Sequence, residues 1–94
     1  MRDARKTEIE LAAREAETDL KQAEAERDLA QRTLSVAQEG LRVAEDLAKE
    51  GRGEVNDVPL AQIAVADADD DLVNAETHMA AAQARLGIVR GDSI

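Results

Sequence analysis

Apolar residues recur along this chain in alternating steps of three and four. One series runs Ile9, Ala13, Ala16, Leu20, Ala23, Ala30, Leu34, Ala37, Leu41, Ala44 and Ala48, interrupted only by Arg27. A second runs Val58, Ala61, Val65, Ala68, Leu72, Ala75, Met79, Ala82, Leu86 and Val89 without a break. Steps of three and four average 3.5 residues, the period that keeps one seam against a partner helix in a left-handed supercoil. A strand would alternate every second residue instead. With 21 of the 22 positions apolar, chance is a poor explanation. The rhythm predicts two long helices, about 4–50 and about 57–90.

Large and small residues take turns within each seam. Leu20, Leu34 and Leu41 share one heptad column with Val58, Val65, Leu72, Met79 and Leu86 as its counterpart. The other column is Ala almost throughout, from Ala16 to Ala44 and from Ala61 to Ala82. A column of Ala lets two helix axes approach closely, so the predicted layer between them is thin.

The segment 51–56 separates the two series and holds the breakers. Gly51 suits the position after a helix end, where the left-handed conformation is needed. Asn56 or Asp57 can cap the next helix through a side-chain oxygen. Pro59 then falls in the first turn, where a missing N–H costs nothing. A stop, a short turn and a restart make the helices antiparallel neighbours. Pairing about the turn sets Leu41 near Val65, Leu34 near Leu72 and Leu20 near Leu86.

A further stripe lies off the main seam. Leu29, Val36 and Val43 recur every seven residues on the first helix, and Ala66, Val73 and Ala80 on the second. Two helices alone leave both stripes in water, so additional helix contacts are expected. The plainer reading is stray surface valine, which is common. The expected fold is therefore all-α: an antiparallel two-helix coiled-coil hairpin, packing further into a bundle or helical barrel.

Composition narrows the function. There is no Phe, Trp or Tyr among 94 residues, and nineteen residues are Ala, too little bulk for a compact enzyme core. Cysteine is absent, which removes disulfides and thiolate metal sites. The net charge of −9 argues against nucleic acid as a partner. No apolar run is long enough to insert this segment in a membrane. Charge is also uneven. From Gly53 to Ala84 there are seven acids (Glu54, Asp57, Asp67, Asp69, Asp70, Asp71, Glu76) and no Lys or Arg. A basic partner surface suits that stretch, although a solvated acidic face explains it as well.

Residues able to carry chemistry are few. Asp67 and Asp71 share a helix face, but a helix supplies too few oxygen ligands for a good cation site. His78 is the lone histidine, beside the seam, where a ring in solvent is expected. Arg27 can lay its stem along the seam and extend its guanidinium to Glu24 or Glu76, fixing register. Gly40 in mid-helix should cost roughly 1 kcal/mol relative to Ala, with close packing as its one rationale. No nucleophile–base pair, phosphate loop or metal cluster is present, so no catalytic, cofactor or metal residues are expected, and the chain does not read as an enzyme.

The turn carries a resemblance. Gly51, five residues, Asp57-Val58, two residues and Ala61 resemble the hairpin tip of TolC-like outer-membrane efflux proteins. The Ala-rich heptads after it and the ending Leu86-Gly87-Ile88-Val89-Arg90-Gly91 are similar to the close of that family's helical repeat. The resemblance spans about Thr33 to Gly91. Glu50 and Arg52 stand where the family often has Val and Leu. The resemblance implies a trimeric channel whose hairpins wall a periplasmic tunnel and whose tips dock a periplasmic adaptor hairpin. Glu50, Gly51, Arg52, Asp57 and Val58 are then the partner-binding tip, with Asp57 shaping it. It implies a periplasmic or outer-membrane setting, whereas the chain read as complete, with no leader, would be cytoplasmic. The alternatives are the hairpin of a periplasmic adaptor itself, or a stand-alone or designed coiled-coil oligomerisation module. Self-association, as a dimer or as a trimer in a full channel, is expected on the first reading.

Overall fold

A computed structural model describes residues 2–91, with side chains described from Arg5 onward. It contains two helices, α1 (Arg2–Lys49) and α2 (Asp57–Arg90), packed antiparallel. The chain is all-α, as the heptads require. The helices divide into two units. One joins α1 through Arg27 to α2 from Ala75 onward; the other holds Asp28–Asn74.

In the unit formed by the early part of α1 and the late part of α2, the Ala column is the core. Ala16 and Ala23 are 0% exposed, and Ala75, Ala82 and Leu86 are buried with them. Glu17, Leu20, Lys21 and Glu24 of α1 line one shallow groove with Leu86 and Arg90 of α2, which brings Leu20 and Leu86 together as the pairing expected. Arg90 Nη2 donates to Glu17 Oε1 at 3.1 Å across this groove. Gly91 ends α2 with its N–H on the Ile88 carbonyl at 3.0 Å. Since α2 stops level with Glu17, the seam of α1 outlasts its partner. Ile9, a seam position, is consequently exposed.

In the unit Asp28–Asn74, Ala68 is buried, while Ala30, Leu34, Ala37, Leu41 and Ala44 face inward half-buried with Val58, Ala61, Val65 and Leu72. The inward positions are the predicted ones, but their cover is partial. Two helices shield only one side of each other, and a layer built on Ala is too thin to seal its edges. Near the turn the pattern shifts by one residue: Leu47 faces inward and Ala48, placed in the seam by the heptad count, is exposed. The returning chain folds over Leu47, which displaces the count there.

Candidate interaction surface

The turn is closed by backbone geometry. Gly51 has φ 72°, and its N–H bonds the Ala48 carbonyl at 3.0 Å. The Arg52 N–H bonds the Leu47 carbonyl at 2.8 Å. These paired bonds, three and five residues back, are the Schellman arrangement, which satisfies carbonyls left open at the end of α1. Gly53 is also left-handed, with φ 87°, and a Cβ placed there would lie 3.0 Å from Asp57 Oδ2.

Asp57 caps the turn in an unexpected direction. Its Oδ2 accepts the Glu54 N–H at 2.8 Å, reaching back along the chain rather than forward into α2. The Asp57 N–H in turn bonds the Glu54 carbonyl at 3.2 Å. Asn56 supplies the first helical acceptor, its carbonyl taking the Leu60 N–H at 3.0 Å. The reach-back has the logic of a capping box, in which a carboxylate three residues on satisfies an open N–H. As an acid in the first turn of α2, Asp57 also opposes the positive end of the helix dipole.

The other tip residues are disposed as follows. Glu50 and Arg52 form an exposed ion pair, Nη1 to Oε2 at 3.2 Å. Val58 is half-buried at the start of the α2 seam, and Val55 and Leu60 are exposed beside it. Glu50, Gly51 and Arg52 therefore present a small polar knob, and Asp57 is spent on holding the turn together.

The side stripes are open. Val36 is 72% exposed, Leu29 65%, Val73 53% and Val43 43%, and Ala66 and Ala80 are exposed as well. Gly40 lies between Val36 and Val43 on the same flank, and a Cβ added to it meets nothing within 4 Å. Close packing within the chain therefore does not account for this glycine. Arg42 bonds Glu39 and Asp46 along α1, the latter at 2.9 Å. The Glu39 partnership is a hydrogen bond first and a charge attraction second; it holds the Glu39 carboxyl below its ordinary range and raises Arg42.

His78 is not a ring left in solvent. Its Nδ1 lies 2.9 Å from Glu26 Oε2 and its Nε2 3.4 Å from Asp19 Oδ1, so one α2 side chain spans two α1 carboxylates. The Glu26 hydrogen bond, opposed by desolvation and aided by both negative charges, raises the His78 pKa above its ordinary 6.5. Sequence reasoning missed this bridge. The signal was a pair of acids seven residues apart on α1, opposite a lone His.

Asp67, Asp69, Asp70 and Asp71 are all exposed. Among the described residues, no group of acids and histidines is arranged to hold a metal ion, and no helix is long and apolar enough to cross a membrane. No protein-family model, curated protein or solved structure matches the chain. What the fold supplies is a helical hairpin with exposed apolar side chains, the form of an interaction or oligomerisation element.

Proposed function

We propose that this hairpin acts by binding, without bond chemistry, and that copies of itself are the first helices to cover its stripes. The observation that carries the reading is the exposed heptad Leu29, Val36, Val43 on α1, together with the exposed Val73 on α2. Full burial of a Leu or Val is worth roughly 1.5–3 kcal/mol, so covering these partly exposed side chains yields about 1–2 kcal/mol each. The sum is set against an association cost of about 4 kcal/mol or more. One lateral contact is then weak and forms only at high protein concentration.

On the finer reading, the hairpin is a wall element of a TolC-like periplasmic tunnel, with the Glu50–Gly51–Arg52 knob offered to an adaptor hairpin. The spacing of Gly51, Asp57, Val58 and Ala61 supports it. The Schellman turn is compatible with such a tip, because it leaves the Arg52 and Glu50 side chains outward and exposed.

Sedimentation velocity tests the broader reading up to about 1 mM, where a contact of roughly 4 kcal/mol is half-formed. The expected result is concentration-dependent growth that Val36→Glu abolishes. A chain that stays monomeric across the range refutes it. The finer reading predicts capture by an immobilised adaptor hairpin that Gly51→Trp prevents; equal capture of both proteins would remove it.

A further inference from the structure

We infer that the partner on each stripe is a second copy placed side by side, with the α1 stripe of one copy seated on the α2 stripe of the next. The inference rests on the self-association proposed above and specifies its geometry. It follows from where the stripes stand in the unit Asp28–Asn74. Leu29, Val36 and Val43 each directly precede the Ala column, at Ala30, Ala37 and Ala44. Ala66 and Val73 each directly follow the large column, at Val65 and Leu72. At about 100° per residue, one stripe lies roughly 130° to one side of its seam and the other roughly 130° to the opposite side. Because the helices are antiparallel, these offsets turn the two stripes toward opposite edges of the pair. A copy moved sideways without rotation therefore presents its α2 stripe to the α1 stripe of its neighbour.

Size and charge select the same pairing. The α1 stripe is bulky and the α2 stripe small, with Ala66 on one side of Val73, so ridge meets hollow. Two α2 stripes face to face would bring Asp69 and Asp70 of each copy together. The α1 stripe is flanked by Arg32, and its acids Glu39 and Asp46 already bond Arg42. Two α1 stripes face to face would set bulk against bulk and leave Val73 exposed. The crossed pairing covers both stripes with a single kind of contact and avoids both clashes. It also gives Gly40 a purpose: a position between Val36 and Val43 with no Cβ lets a neighbouring backbone come close. Such a contact is heterologous, and its repetition closes a ring or extends a row.

Two half-broken variants test this. Val36→Glu with Val43→Glu removes the α1 stripe, and Val73→Glu removes the α2 stripe. All three positions are exposed, and circular dichroism of each variant establishes that the helices remain. Each variant alone should be monomeric in sedimentation, because each lacks one half of every contact. An equimolar mixture should form a one-to-one heterodimer and grow no further, whereas the wild type grows beyond the dimer. Gly40→Leu should weaken wild-type association at least tenfold. Self-association of Val73→Glu at wild-type strength, or a mixture that stays monomeric while the wild type assembles, overturns the crossed pairing and leaves self-association standing. A wild-type chain that never associates removes both.

Discussion

Replacing Ala23 by Leu tests whether the Ala column sets the distance between the helices. Ala23 is 0% exposed in the unit it shares with α2, so its methyl already fills the space available. Leu adds three carbons that must displace a backbone or force a neighbour from its rotamer. Overpacking of this kind costs about 1–3 kcal/mol. The stability of a chain of this length is of order 0.05–0.15 kcal/mol per residue, so a loss of about 2 kcal/mol is a large share. The matched control is Ala25→Leu. Ala25 is exposed, and a Leu there should shift stability by no more than about 0.5 kcal/mol. Urea unfolding followed by circular dichroism at low concentration reads both. With a slope of about 1–3 kcal/mol per molar urea, Ala23→Leu should lower the midpoint by about 1 M. The competing outcome is that the helices move apart and bury the larger side chain, as ordinary coiled coils do. An Ala23→Leu protein as stable as the wild type, or more so, would refute the claim that these helices are held close by Ala.

The other predictions concern the turn, the bridge and the mid-helix glycine. Gly53→Ala should destabilise by about 1–2 kcal/mol on conformation alone, since φ is 87°. It should cost more than Gly51→Ala, because its Cβ also presses on Asp57 Oδ2 while that of Gly51 meets nothing; paired urea melts give the comparison. Asp57→Ala should lose about 1 kcal/mol through the orphaned Glu54 N–H. Gly40→Ala should raise monomer stability by about 1 kcal/mol, measured where the chain does not associate. His78, raised above 6.5, should titrate by NMR with a midpoint above that value, and Glu26→Gln should bring it down. Its stabilising effect is complete below the unfolded pKa and fades as pH rises through the folded one. The wild type should therefore lose a small increment of stability as pH rises from His78's ordinary 6.5 through its raised folded midpoint, and His78→Ala should lack that slope.

Most of the architecture was legible because a coiled coil encodes its partner in its own period. The inward set from Ala13 to Ala44 and from Val58 to Val89 follows from counting sevens, and the turn follows from Gly51 and Pro59. What failed lies where the period meets something the period does not describe. Ile9 obeys the count, but it lies beyond the level at which α2 ends at Arg90, and it is exposed. Ala48 obeys it too, but the chain is already bending over Leu47. Asp57 was read as a cap from its type and place, and the direction of its bond was not legible. A carboxylate can satisfy a donor on either side, and the choice depends on Gly53 leaving room for Oδ2. His78 was misjudged because sequence distance conceals an interhelical neighbour: Asp19 and Glu26 lie more than fifty positions away and are brought together only by the antiparallel register.

The same logic explains why function is harder to read here than fold. A seam is a relation the chain satisfies internally, so its residues are checked against one another by the folded hairpin. A stripe such as Leu29, Val36 and Val43 is half of a relation, and its other half lies on another molecule or another copy. Gly40 is the clearest case. Within one chain it lowers helix propensity where an added Cβ would meet nothing, a cost with no return. Local choices that oppose the fold without compensation tend to mark functional surfaces. The substitution that stabilises the hairpin at this position should therefore be the one that impairs its assembly. Should Gly40→Ala raise the midpoint and leave association unchanged, the glycine would lose its functional reading and the side stripe would lose its second witness.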